Sequence, residues 1–157
     1  MLTPNGAQLL KDYAARTFQK EIVHVVDNIY YFTGYGHSNA TLIVGATSCI
    51  LIDTLDSDAR AQKLKEAIAE LTDKPVKTII YTHGHPDHRG GAGAFADTAE
   101  EVIAFAPKHP ALKHTDVVNP VLMLRGSRQF GYMLSDDELI TQGLGPKEGH
   151  ACNEGTY

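Results

Sequence analysis

Cysteine is scarce: there are two, Cys49 and Cys152, far apart in a chain of 157 residues. They form no metal-binding pair and no disulfide framework. Cys49 stands in an apolar run and reads as a small core residue. Long hydrophobic runs are missing too, and no apolar stretch approaches membrane-spanning length. No basic run occurs, and the formal net charge of −5 leaves no electrostatic footprint for nucleic acid. Met1 to Gly6 has no basic region followed by an apolar one, so no signal peptide is visible and a cytoplasmic location is expected. Internal repeats and low-complexity segments are absent.

What is present is ordinary for a globule. Apolar residues make up 43% and charged residues 21%, which argues against disorder. The length suits one domain with a real core. We place that domain at residues 1–146 and an irregular tail at 147–157.

Along the chain, Thr3-Pro4 is a helix-start signal, and Leu9, Leu10, Tyr13 and Ala14 predict a helix over about 4–17. Two apolar runs, 22–26 and 29–32, are separated by Asp27-Asn28 and predict a hairpin. His24 is expected to face solvent. Strands follow at 40–44 and 48–52, the second ending on Asp53-Thr54. Ser57-Asp58 opens a helix with Ala61, Leu64, Ala67, Ile68 and Leu71 on one face. Asp73-Lys74-Pro75 stops it, and a strand at 76–81 follows. Strand, helix, strand is a crossover unit, so strands 48–52 and 76–81 are expected to be parallel. A short helix at 92–96, a strand at 102–105 and a turn of helix at 108–114 come next, with His109 and His114 on the surface. Asn119-Pro120 then reads as a cap opening a helix to about 134.

The chemistry concentrates in Thr82-His83-Gly84-His85-Pro86-Asp87-His88-Arg89-Gly90-Gly91. It follows a β-branched run of the kind found in buried parallel strands, and ligands bind at the C-terminal ends of such strands. His83 and His85 are two apart and share a side in extended chain. Pro86 turns the chain and brings Asp87 and His88 toward a neighbouring point. Imidazole nitrogen and carboxylate oxygen are ligands for zinc, and suit iron or manganese as well. The alternative for any one of these histidines is a solvated loop residue; four ligand types at one strand end favour a metal.

This motif resembles the His-x-His-x-Asp-His of the metallo-β-lactamase fold superfamily. The resemblance implies an α/β fold, the N-terminal half of an αββα sandwich, with a mixed sheet and flanking helices. It implies that His83 and His85 hold one metal, that Asp87 and His88 hold a second, and that Asp87 is the catalytic carboxylate. Asp53 would support the histidine loop from behind; otherwise it is a plain strand terminator. The motif alone leaves the substrate open, since lactamases, thioesterases, lactonases, nucleases and alkylsulfatases share it.

Several further segments resemble the alkylsulfatase branch: 21–30, Ser38-Asn39-Ala40-Thr41-Leu42-Ile43, Ile52-Asp53-Thr54, 72–77, Arg125-Gly126-Ser127-Arg128-Gln129-Phe130-Gly131 and Gly143-Leu144-Gly145-Pro146. The likeness implies two zinc ions and hydrolysis of alkyl sulfate esters, with a small-molecule ester as partner and neither nucleic acid nor membrane. Arg125 or Arg128 can pair with a sulfate, because a guanidinium fork matches tetrahedral oxyanions; a solvated helix face is the plainer reading of both. Further ligands in that family come from a second half of the fold, which is not recognisable here. Glu148, His150 and Glu154 match no motif of it. Three readings stay open: an incomplete alkylsulfatase-type hydrolase, a non-catalytic metal-binding half domain, and a thioesterase- or lactonase-type hydrolase. A half sandwich leaves apolar surface open, so a homodimer is expected.

Overall fold

The computed structural model describes residues 6–105, 115–131, 133–135 and 138–146. The helix start at Thr3-Pro4, the helical turn expected at 108–114 and the 147–157 tail lie outside these residues. Helix α1 spans Gly6–Thr17 and buries none of its residues. A hairpin follows, β1 (Glu21–Val26) and β2 (Ile29–Thr33), closed by Asp27-Asn28, where Asp27 takes φ 41°. Aspartate tolerates this left-handed conformation better than most residues. His24 is exposed, as expected, and stacks on Tyr30 across the hairpin at 4.9 Å.

Strands β3 (Ala40–Val44) and β4 (Cys49–Ile52) extend the antiparallel ladder. Helix α2 (Asp58–Leu71) crosses over, and β5 (Val76–Ile80) returns parallel to β4, as the crossover pattern predicts. After the histidine loop come helix α3 (Pro86–Arg89), a 3-10 turn at Ala92–Phe95, and β6 (Glu101–Ile103), parallel to β5. The result is one mixed six-stranded sheet in the order β1-β2-β3-β4-β5-β6, flanked by helices.

One face of the sheet is the core. Phe32, Ala40, Leu42, Cys49, Leu51, Val76 and Ile79 pack with Ala61, Leu64, Ala67 and Ile68 of α2 and with Phe95. Full burial of a Leu or Phe side chain contributes about 1.5–3 kcal/mol. The α2 stripe is the one read from the sequence, except that Leu71 is 37% exposed.

Most strands shift from expectation by one residue at one end, and two elements differ further. The strand expected at 102–105 is Glu101–Ile103, and Phe105 is 83% exposed. Its partner β5 ends at Ile80, which pairs with Ile103, so Ala104 and Phe105 have no strand to lie against. Helix α4 spans Thr115–Phe130 and so begins before Asn119-Pro120. Pro120 falls in its second turn, where it removes one ladder hydrogen bond. The helix stops short of 134 because Gly131 takes φ 73°, the left-handed conformation that ends helices.

Candidate functional site

Strands β4 and β5 end side by side, with Ile52 opposite Ile80, and the Asp53 N–H donates to the Ile80 carbonyl at 2.9 Å. Beyond this point the two chains part. The β4 side runs on through Asp53-Thr54-Leu55-Asp56-Ser57, five consecutive buried residues. Asp53 and Leu55 take φ 61° and 65° there. A left-handed leucine is strained, and such strain collects at sites the surroundings hold firmly. The β5 side runs out through Thr82, His83, Gly84, His85 and Pro86, all exposed.

The structure brings the four predicted ligand residues into contact. The His83 ring lies 4.6 Å from that of His85 and 4.0 Å from that of His88, centroid to centroid. His88 Nε2 is 3.3 Å from Asp87 Oδ2. Asp53 stands behind them. Its Oδ1 accepts the Thr82 N–H at 2.8 Å, its Oδ2 accepts the Thr82 hydroxyl at 2.7 Å, and His88 Nδ1 donates to Oδ2 at 2.7 Å.

These bonds set proton positions. A carboxylate only accepts, so the His88 proton sits on Nδ1 and the Nε2 lone pair faces outward. The Thr82 hydroxyl hydrogen is committed to Asp53, so its oxygen accepts from His83 Nδ1, 3.1 Å away. That leaves the His83 Nε2 lone pair free as well. The His88 Nε2 lone pair then lies beside the Asp87 carboxylate, two acceptors 3.3 Å apart that a shared cation reconciles.

The loop's backbone is anchored from several elements. The His88 carbonyl accepts the Thr54 N–H at 2.8 Å and the Thr54 hydroxyl at 3.3 Å. Arg89 Nε donates to the Gly84 carbonyl at 2.9 Å. The Ser38 hydroxyl donates to the Asp87 carbonyl. Gly90 and Gly91 bring this turn hard against the β4 extension. A Cβ on Gly91 would lie 2.1 Å from the Thr54 carbonyl oxygen, and one on Gly90 would lie 2.4 Å from that of Asp56.

Sequence reasoning missed this anchoring set: Ser38, Thr54, Asp56 and Thr82. For Thr54 and Asp56 the signal was the polar content of the run after β4, which has no period to read. Arg125 and Arg128 are exposed on α4. Among the described residues no hydrogen bond or ion pair ties either to the histidine loop. Glu148, His150 and Glu154 lie outside the described residues.

A sequence profile described as the Metallo-beta-lactamase superfamily matches residues 33–153. The chain belongs to the metallo-beta-lactamase superfamily. It is similar to the alkyl/aryl-sulfatase BDS1 of Saccharomyces cerevisiae, 37% identical over 71% of this chain and 18% of that protein. It is also similar to a linear primary-alkylsulfatase of a Pseudomonas species, 32% identical over 67% of this chain and 22% of that protein. The solved structure of the inverting sec-alkylsulfatase Pisa1 from Pseudomonas shares the fold, with a TM-score of 0.62 at 24% identity over 84% of this chain and 23% of that one. The chain thus spans about a fifth of the length of the curated relatives it matches.

Within this superfamily member, the donor set fits a zinc-type ion in kind: three imidazoles and a carboxylate, with two lone pairs aimed outward by Asp53 and Thr82. It falls short in number at any one point. Among the described residues, no group of three or more His, Cys, Asp or Glu side chains is placed to hold an ion alone. Pairs of donors are what these residues offer, whereas a closed site needs three protein ligands or more.

Proposed function

We propose that this chain carries the metal-binding loop of a hydrolase acting on sulfate esters of alkyl chains. The observation that carries the reading is the contact cluster of His83, His85, Asp87 and His88 at the end of β5, backed by the buried Asp53 carboxylate. Similarity to two alkylsulfatases supports the substrate class.

His83 and His85 would hold one zinc ion, and Asp87 and His88 a second, in the complete fold. A bound zinc-type ion supplies a hydroxide nucleophile near neutral pH, lowering the pKa of water from 15.7 toward about 7, and offsets charge developing on ester oxygen. The rest is the work of this chain's own residues. Asp53 keeps the His88 proton on Nδ1 and, through the Thr82 hydroxyl, the His83 proton on its own Nδ1. Both Nε2 atoms therefore stay available without waiting for a ring flip. Asp87 contributes the negative charge that draws a cation toward His88. Exposure of 82–86 leaves room for an ester to approach from the solvent side.

By itself the chain is expected to be a poor catalyst, since its described residues offer donors in pairs. The test combines zinc content after dialysis against metal-free buffer with hydrolysis of dodecyl sulfate. We expect the 157-residue chain to retain substoichiometric zinc, and the His83→Ala/His85→Ala variant to retain clearly less. Equal, near-zero zinc in both defeats the metal reading. Zinc retention with no turnover, even when the chain is supplied within a longer homologous context, favours a non-catalytic metal-binding module.

A further inference from the structure

We infer that Ser38, set in place by Asp56, is a positioning residue for Asp87; the inference rests on the metal-binding reading above. Helix α3 is only one turn, Pro86–Arg89. In a helix that continued, the Asp87 carbonyl would accept the N–H of Gly91 four residues on. That N–H is turned away and donates to the Leu55 carbonyl at 3.2 Å. The Ser38 hydroxyl takes the vacated place and donates to the Asp87 carbonyl from a different part of the chain, the loop between β2 and β3. The Gly90 N–H still closes the turn onto the Pro86 carbonyl at 2.7 Å. Asp87 is therefore fixed by one tertiary hydrogen bond where an ordinary helix would use a local one.

That loop has its own support. The His37 N–H donates to Asp56 Oδ1 at 3.2 Å, and Arg60 Nη1 reaches the same oxygen at 3.2 Å. Asp56 is fully buried. A Cβ on Gly36 would lie 2.6 Å from Asp56 Oδ1, and one on Gly145 would lie 2.6 Å from the His37 carbonyl oxygen. The backbone at 36–37 is thus clamped between the Asp56 carboxylate and the segment around Gly145. Two polar atoms in this clamp, His37 Nδ1 and Asp56 Oδ2, are buried with no hydrogen-bond partner among the described residues. Leaving such atoms unpaired costs stability, so the clamp is not explained by packing alone.

The consequence differs from residue to residue. The His88 carbonyl is held by a backbone N–H as well as by the Thr54 hydroxyl, so losing that hydroxyl leaves the loop anchored. The Asp87 carbonyl depends on a side chain. Ser38→Ala should disturb metal uptake, and Thr54→Ala should disturb stability.

The experiment uses the 157-residue chain with cobalt(II) as the probe, following the visible absorption on titration, and measures the urea midpoint of the metal-free proteins. Ser38→Ala is expected to weaken cobalt affinity by about tenfold or more and to change the visible band, with the metal-free midpoint unchanged. Thr54→Ala is expected to lower the midpoint and to keep the wild-type band. Unchanged affinity and band in Ser38→Ala, beside a wild type that binds cobalt and a His88→Ala variant that binds it more weakly, overturns the positioning role and leaves the metal reading standing. A weaker affinity that merely follows a lower midpoint overturns it as well. A wild type that takes up no cobalt overturns both.

Discussion

Asp53 is the residue on which most of the site depends. It ends β4 at a left-handed φ of 61°, and its carboxylate ties the Thr82 backbone, the Thr82 hydroxyl and His88 together. Asparagine tolerates the same backbone. Its amide nitrogen cannot accept a hydrogen bond, so Asp53→Asn keeps the shape and loses acceptors. We expect a loss of about 1–3 kcal/mol, read from urea unfolding, together with weaker zinc retention. An unchanged midpoint would mean that the Asp53 bonds contribute nothing net. Cys49 gives a pH-dependent case. Burial pushes its thiol above the ordinary value of 9.0, only partly offset by Lys74 and a backbone hydrogen bond near Gly45. A thiol with a raised folded pKa stabilises the fold fully below its unfolded pKa, and that contribution is lost as pH rises through the folded value. Stability should therefore fall above about pH 9 in the native chain and fall less in Cys49→Ala. Urea midpoints for the two proteins across this range decide it, parallel curves being the contrary result.

At the scale of elements, the turn from α3 into the 3-10 helix is what locks the histidine loop to the sheet. Gly91→Ala places a Cβ against the Thr54 carbonyl and the Ala61 side chain, both fixed. It should cost more than about 3 kcal/mol and leave little folded protein. Gly84→Ala, where nothing lies within 4 Å, should fold with a midpoint near that of the native chain. Comparable losses in both would remove the close approach at Gly91 as the cause. The crossover unit β4–α2–β5 was legible because its signals agree: an apolar run, a helical stripe at Ala61, Leu64, Ala67 and Ile68, and a stop at Pro75. The hairpin at Asp27-Asn28 was legible for its turn residues. The end of β6 was not, because the limit of a strand lies in its neighbour, and Ala104-Phe105 look as strand-like as Val102-Ile103. The start of α4 was misread because Asn119-Pro120 carries strong local cap chemistry that the longer helix overrides. At the site, spacing singled out the four ligand-type residues, and the resemblance to the superfamily, with no local pattern beside it, pointed to Asp53. Ser38 lies in a segment that resembles the alkylsulfatase branch, but it and Asp56 act through contacts between distant segments, which no local pattern spells out.

At the scale of the whole molecule, the sheet is covered on one face among the described residues. Phe32, Leu42, Leu51 and Ile79 are sealed under α2, while Tyr31, Ile43, Ile50, Ile52 and Ile80 point to the other side and are only half-buried. The register aligns Ile43 with Ile50 and Ile52 with Ile80, so these side chains form a continuous apolar band. Both sheet edges are apolar as well. Val25 and Val26 on β1 are 56% and 52% exposed, and Val102 and Ile103 on β6 are 53% and 43% exposed. Edges of that kind pair readily with another chain. Helix α4 adds Val121, Leu122, Met123 and Leu124, all exposed. Monomers seldom present contiguous apolar patches beyond a few hundred Å². Each 100 Å² removed from water contributes roughly 2.5 kcal/mol, part of which offsets the entropy lost on association. The closed arrangement that covers such a face with the fewest copies is a symmetric pair. We therefore expect the chain to self-associate as a dimer at micromolar concentration, with binding of an apolar-surface dye that falls as the dimer forms. Light scattering coupled to size exclusion measures the mass directly. A monomer that binds no dye would mean that the half-buried isoleucines are covered within the chain, and that the band needs no partner.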